Sequence, residues 1–261
     1  MSRDTHPVTR HFQRDQPAGV PPLELTGERT LPDLPEENYW YRRHVAAYRW
    51  VASRCDGRDV ADMACGEGYG SALLAEHARS VVGVDANPEA YEHARLKYRR
   101  SNLAFRRALV EAFEDGAPYD VIVFFQTIEH IREPDALLDR FASMLAPGGA
   151  AYITTPNRLT LAPPGAARSD NPWHVREYDT VEYRDLLAPH FRSVELLGLF
   201  HAGKLRVHER ALRLGWDRVH QALGLTRRFY GWLVPAIDER DFVVRSGSLE
   251  RSLDLLAVCR R

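Results

Sequence analysis

A chain of 261 residues, 44% hydrophobic and 27% charged, is long enough for one α/β domain with a sizeable core and insertions. Its formal net charge of −1 gives no overall field that would draw it onto nucleic acid or a membrane. Three cysteines (Cys55, Cys65, Cys259), odd in number and outside any C-x-x-C pattern, argue against a disulfide framework or a zinc site and suit a reducing, cytoplasmic setting. No apolar run is long enough to span a bilayer, and the N-terminus lacks a signal-peptide core.

Residues 1–22 are polar, carry Pro17, Pro21 and Pro22 and show no periodicity, so they read as a disordered lead-in to one domain over 23–261. A proline-punctuated loop from Leu25 to Pro35 follows. From Glu36 to about Arg54 the spacing of Tyr39, Trp40, His44, Ala47, Tyr48 and Val51 predicts a helix. Trp40, Tyr48 and Trp50 read as packing against a sheet. Tyr41, Arg42, Arg43 and His44 stay open between a solvated face and a ligand contact.

The stretch Val60-Ala-Asp-Met-Ala-Cys-Gly-Glu-Gly-Tyr-Gly runs from an apolar strand into a turn with Gly66, Gly68 and Gly70 at alternate positions, then into a helix over Ser71–Ala78. A second apolar run, Val81-Val-Gly-Val, ends in Asp85, where an acid at the tip of the second strand of a doubly wound fold can take both ribose hydroxyls. Dinucleotide turns read G-x-G-x-x-G. This one is G-x-G-x-G, with Asp62 and Cys65 before it and no basic residue nearby for a phosphate; an acid at 62 suits a ligand ammonium.

These residues resemble motif I of the class I S-adenosylmethionine (SAM) dependent methyltransferases. The resemblance implies a Rossmann-like, doubly wound, seven-stranded α/β sheet with its last strand antiparallel. It also implies SAM as cofactor, S-adenosylhomocysteine as product, and a cofactor site built from Asp62, Cys65, Gly66, Gly68, Tyr69, Gly70, Asp85, Ala86 and Asn87. In that family a helix before motif I often covers the cofactor and contacts its carboxylate, which bears on Tyr41, Arg42, Arg43 and His44.

After Asn87, Pro88 opens a charged helix to about Arg100, and Leu103–Arg106 is a weak third strand. Ala108-Leu-Val-Glu-Ala-Phe falls where family members set an acid against the adenine amino group. That implies Glu111 for the contact and Val110 for packing, or else an exposed acid in a loop. Tyr119–Phe125 is a nearly continuous apolar run, as in a central parallel strand. It ends in Gln126-Thr-Ile-Glu-His, whose side chains stand where ligands collect in open sheets. Gln126 is therefore expected at the cofactor, and Glu129 and His130 at the chemistry; similar Glu-His pairs occur in small-molecule O-methyltransferases.

A helix from Pro134 ends at Pro147-Gly-Gly and leads to a strand over Ala150–Thr154. The proline-rich loop from Thr155 to Tyr178 is too long for a routine connection. Its Trp173, His174, Arg176, Glu177 and Tyr178 either line a polar pocket or clamp the loop to the core. Thr180–Ala188 is helical and Ser193–Leu197 a strand. Residues 199–249 are expected to form a helical cap over the substrate side, its arginines covering the helices with their stems and not binding RNA. Leu253–Cys259 is the last strand.

The reaction this implies is an in-line displacement at the sulfonium methyl, for which the protein supplies alignment and, for a hydroxyl acceptor, a base. His130 is the first candidate base and His174 the second. No metal ligands are assigned, although Glu129 leaves a carboxylate–metal route open. Leu-Thr-Gly-Glu-Arg-Thr-Leu-Pro-Asp-Leu, Glu-Asn-Tyr-Trp-Tyr-Arg-Arg-His and Cys-Gly-Glu-Gly-Tyr-Gly look like the actinobacterial methyltransferases that modify the mycofactocin oligosaccharide, which implies a saccharide hydroxyl as acceptor. The chain lacks Asn/Asp-Pro-Pro-Tyr after the fourth strand, which speaks against amino methylation of nucleobases or glutamine. Two rivals remain: a phenolic or quinone-type acceptor, and a non-catalytic partner that keeps the fold.

Overall fold

The computed structural model describes residues 10–14, 16–24, 29–116, 118–163, 165–166 and 168–261. Eight strands form the main sheet: β1 (Asp59–Met63), β2 (Ser80–Asp85), β3 (Leu103–Arg107), β4 (Tyr119–Phe125), β5 (Leu145–Pro156), β6 (Ser193–His201), β7 (Phe242–Arg245) and β8 (Asp254–Arg260). Their order is β3-β2-β1-β4-β5-β8-β6-β7. The five from β3 to β5 run parallel. β8 lies antiparallel to both β5 and β6, and β7 antiparallel to β6. This is the doubly wound Rossmann-like sheet with an antiparallel last strand, enlarged by one edge strand. β7 comes from the segment expected to be a cap: Phe242 and Val244 alternate with exposed Val243 and Arg245, the period that seats one strand face on a core.

The apolar strands make two cores because alternate side chains leave a strand on opposite faces. Ile122 and Phe124 of β4 join Met63, Ile153, Leu255 and Ala257 on one face. Val121, Val123 and Phe125 join Val60, Tyr152, Leu256 and Val258 on the other. Helices α1 (Asn38–Ala52) and α2 (Tyr69–Leu74) cover the second face through Tyr48, Val51 and Leu74. After α3 (Pro88–Lys97), α4 (Pro134–Met144) covers the first face through Leu137 and Phe141; past the short α5 (Arg158–Leu161), α6 (Thr180–Leu187) adds Tyr183 and Leu187. A buried ion pair ties α1 to β8: Arg43 donates from Nε to Asp254 at 2.7 Å and from Nη2 to the Leu253 carbonyl at 2.7 Å.

The N-terminal segment departs from the disordered lead-in expected for 1–22. Residues 1–9 and 15 lie outside the described residues. Arg10–His11 pairs antiparallel with Leu23–Glu24, and Val20 and Leu23 are buried. Gln13 Nε2 donates to Glu67 at 2.7 Å, and the His93 ring meets the Pro21 carbonyl at 2.8 Å. Glu67 and His93 lie far along the chain, so no local pattern announced this docking.

Candidate functional site

β1 and β4 are neighbours whose connections run to opposite sides of the sheet, and ligands collect beyond the carboxyl ends of strands at such a point. Two non-glycine residues at those ends take left-handed backbone conformations, Ala64 (φ 58°) and Gln126 (φ 50°). Such geometry costs roughly 1–2 kcal/mol per residue, and it clusters at binding sites. Both residues line a cavity of about 280 Å³ with Cys65, Gly66, Tyr69, Asp85, Phe125, Thr127 and His130 as further walls.

Around this cavity Asp85 accepts hydrogen bonds from the N–H groups of Gly66 and Asn87, both at 2.8 Å. Gly66 has φ 55°, and a Cβ built on it would meet nothing within 4 Å, so its bare backbone faces open space. Tyr69, Thr30 and His44 form a polar triangle: Tyr69 Oη stands 3.0 Å from His44 Nδ1 and 3.1 Å from Thr30 Oγ1. Burial pushes His44 down to about 4, which leaves the ring neutral at physiological pH. Beside them, Arg29 lines the cavity with a buried Nη1 that has no hydrogen-bond partner among the described residues.

A second cavity, about 430 Å³, is lined by Glu36, Glu37, Trp40, Glu129, Asn171 and His174. Arg29, Thr30, His44, Gln126 and His130 belong to the walls of both cavities. The loop after β5 delivers His174 to this place. The N–H groups of Val175 and Arg176 donate to the Glu129 carbonyl at 2.8 and 3.1 Å, and His130 Nδ1 donates to the Trp173 carbonyl at 3.0 Å. That last bond puts the lone pair of a neutral His130 ring on Nε2. His174 Nδ1 lies 2.7 Å from Glu177, which also accepts from the Ser169 N–H at 2.8 Å and from its hydroxyl. Thus the loop both lines a pocket and clamps itself to the core. Glu129, His130 and His174 each offer one ligand atom within 4.8 Å of the others, a donor set suited to a divalent cation, with Glu177 orienting His174 from behind. Thr155 donates to the Glu129 carboxylate at 3.2 Å, and burial pushes Glu129 up to about 8.

Several expected contacts lie elsewhere. Asp62 is fully buried behind the cavity, accepting from Tyr48 at 3.1 Å and Ser71 at 2.6 Å, and burial pushes it up to about 7; it lines neither cavity and holds Tyr48 in place instead. The missing side chain of Gly68 faces Ala94, Tyr98 and Phe105, and that of Gly70 faces the Tyr48 ring, so both glycines serve packing. Ala86 and Asn87 are exposed, and Asn87 caps α3 by accepting from Glu89 and Ala90. Val110 is buried in the core, while exposed Glu111 lines a third depression, which shares His130 with the two cavities. Tyr41 packs on Tyr69 at 5.1 Å, Arg42 pairs with Glu239 and Arg43 with Asp254. Of those four helix residues, only His44 lines a cavity. Trp40 and Tyr48, expected to be packing alone, line the second and the first cavity respectively. Among the described residues, none of 199–249 stands in the walls of these two cavities.

Sequence reasoning missed Arg29, Thr30 and Glu67. The first two sit in the Leu25–Pro35 loop, whose prolines signalled a segment lying on something. Glu67, between two motif glycines, is a buried acceptor for Gln13, Lys97, Tyr98 and the Tyr69 N–H and lies 3.2 Å from His93.

A family profile described as a methyltransferase domain matches residues 39–209. A probable SAM-dependent methyltransferase of Mycolicibacterium smegmatis is 42% identical over 184 residues, covering 70% of this chain and 71% of that protein. Another from Mycobacterium tuberculosis is 42% identical over 205 residues, covering 76% and 74%. A ubiquinone biosynthesis O-methyltransferase of Xylella fastidiosa is 34% identical over 139 residues, covering 51% and 56%. The crystal structure of a SAM-dependent methyltransferase from Mesorhizobium loti superposes with a TM-score of 0.57 at 16% identity, over 84% of this chain and 98% of that one, a likeness of fold. The glycine turn, the acid at the tip of β2 and this kinship agree: the chain belongs to the class I SAM-dependent methyltransferases, and SAM is its cofactor.

Proposed function

We propose that the enzyme methylates a hydroxyl oxygen of a small polyhydroxylated acceptor, such as a saccharide, held in the second cavity. The observation that carries this reading is the wall shared by the two cavities, with His130 and Gln126 in it. Bound SAM supplies an activated methyl group on a cationic sulfonium. Asp85 and the Gly66 backbone would hold its ribose side, and Arg29 its carboxylate. The residues present fit such a ligand: an open face at Gly66, an acid for hydroxyls and a guanidinium nitrogen without a partner among the described residues.

The second cavity suits a sugar by its chemistry. Glu36, Glu37 and Asn171 can bond neighbouring hydroxyls, and half-exposed Trp40 offers a ring face to a pyranose. His130, with its Nε2 lone pair, takes the proton of the attacking hydroxyl as charge develops. In a second arrangement Glu129, His130 and His174 hold a divalent cation, which lowers the pKa of a hydroxyl bound to it. A phenolic acceptor is the second reading, favoured by the 34% identity to a ubiquinone biosynthesis O-methyltransferase. Incubation with methyl-labelled SAM and matched sugar and phenol acceptors separates the two. Label on a sugar oxygen supports the proposal; label on the phenol alone replaces it, and label on nitrogen rejects both.

A further inference from the structure

The formal charge of −1 conceals a segregated distribution. Residues 203–233 carry seven Lys and Arg against two Asp and Glu, a local +5. They form three short helices, α7 (Gly203–Arg213), α8 (Trp216–Ala222) and α9 (Thr226–Leu233). His208, Trp216, His220, Phe229 and Tyr230 pack their rings together as a small interior, with His220 stacked on Phe229 at 5.7 Å. Leu205 and Leu233 are buried as well, and many of the other side chains face outward.

Those outward side chains are of two kinds. Arg206, Arg210, Arg218, Arg227 and Arg228 are exposed and have no side-chain partner among the described residues. Leu214 is 89% exposed, Trp232 68%, Val207 66% and Leu223 63%. Val207 and Arg210, three apart on α7, and Arg228 and Trp232, four apart on α9, each share a helix face, so cation and apolar group stand side by side there. Apolar groups so exposed mark a binding surface when they cluster. The excursion is anchored to the body: Lys204 pairs with Asp241, and Asn38 Nδ2 donates to the carbonyls of Val234 and Ile237 at 2.8 and 2.9 Å.

We infer that α7–α9 form a docking face for an anionic lipid bilayer. Arginine beside leucine and tryptophan is the composition of a helix lying in a membrane interface, with cations at the phosphates and apolar groups at the acyl boundary. Nucleic acid offers the phosphates but no apolar layer for Leu214 and Leu223. A second copy of the chain would set one +5 surface against another. The expectation of no membrane partner rested on the lack of a bilayer-spanning run, which a surface-lying face does not need, and on a net charge that averages this face with an acidic remainder.

Co-sedimentation of the full chain with vesicles tests the inference. Phosphatidylcholine vesicles containing phosphatidylglycerol should bind the protein at low salt, and phosphatidylcholine alone should not. Added sodium chloride should release it as the Debye length shrinks. The variant R218E/R227E/R228E should bind on the order of a hundredfold more weakly. L214S/W232S should also bind more weakly while keeping the salt dependence. SAM affinity should be unchanged in both variants, which shows that they fold. Equal binding to uncharged vesicles, or no loss in the triple variant, overturns the inference. So does binding to single-stranded RNA without vesicle binding, or a dimer that these substitutions dissociate.

Discussion

The N–H of Gly66 donates to the Asp85 carboxylate at 2.8 Å, joining the glycine turn after β1 to the tip of β2. The other carboxylate oxygen takes the Asn87 N–H at the same distance. Each oxygen keeps a second acceptor site, so the acid can hold ribose hydroxyls while fixing the turn that faces them. Asp85→Ala should weaken SAM binding by about 1.5–3 kcal/mol, the range for hydrogen bonds to a charged group. Titration calorimetry on the folded variant checks this, and an unchanged affinity would remove Asp85 from the cofactor site.

The three motif glycines should separate into two kinds. Gly66→Ala places a methyl in the open cavity at φ 55°, so SAM affinity should fall along with a strain cost of about 1–2 kcal/mol. Gly70→Ala drives a Cβ to 2.2 Å from the Tyr48 ring, and Gly68→Ala one to 2.8 Å from Ala94. Both should lower stability by about 1–3 kcal/mol through overpacking. Calorimetry beside chemical unfolding distinguishes them, and a Gly66→Ala variant that keeps full SAM affinity would contradict the assignment.

Arg29→Ala should weaken SAM binding by about 1.5–3 kcal/mol. Its Nη1 has no partner among the described residues, so stability should stay within about 0.5 kcal/mol. A variant that loses stability and keeps affinity would make Arg29 a structural residue.

His130→Ala and His174→Ala should reduce turnover by roughly 10²–10⁴-fold with little change in SAM affinity, because neither removes Asp85 or the glycine turn. If the trio of Glu129, His130 and His174 holds a cation, a chelator abolishes turnover and one added divalent metal restores it. Glu177→Gln should then weaken metal affinity by about 10–100-fold, the usual effect of losing the group that orients a histidine ligand. Full activity in chelator leaves His130 as the base alone.

Burial opposes the charge on Glu67, but His93 and the Lys97 ammonium more than offset this and hold its carboxyl below the ordinary value of 4.5. A lowered folded value means that its stabilisation is fully present above pH 4.5 and is lost as pH falls through that lower value. Glu67→Gln leaves Lys97 without its buried partner and should cost about 3–5 kcal/mol at neutral pH. Urea unfolding of both proteins across the acid range checks it: the gap between them should narrow below pH 4.5. A gap independent of pH would rule out an ionised Glu67.

Much of this molecule was legible along the chain. The run Tyr119–Phe125 foretold a central strand because a strand buried on both faces has no polar alternation to show. Gly66, Asp85, Gln126 and His130 could be named because strand tips in a parallel sheet converge at one edge, so linear order maps onto the site. Tertiary structure decided the roles of the polar residues around them. Asp62 and Arg43 bear charges that suit a ligand, yet Tyr48 and Ser71 take the first and Asp254, more than two hundred residues on, takes the second. Arg29 shows the reverse: a loop arginine without local pattern, carried to the wall between two cavities. Edge strand β7 was likewise hidden in a stretch expected to be helical, because an alternation four residues long is too brief to read without the neighbour it pairs with. Periodicity and turn chemistry are local and survive in the sequence. Which buried charge meets which partner is fixed by chain distance closed on folding, and that is recorded only in three dimensions.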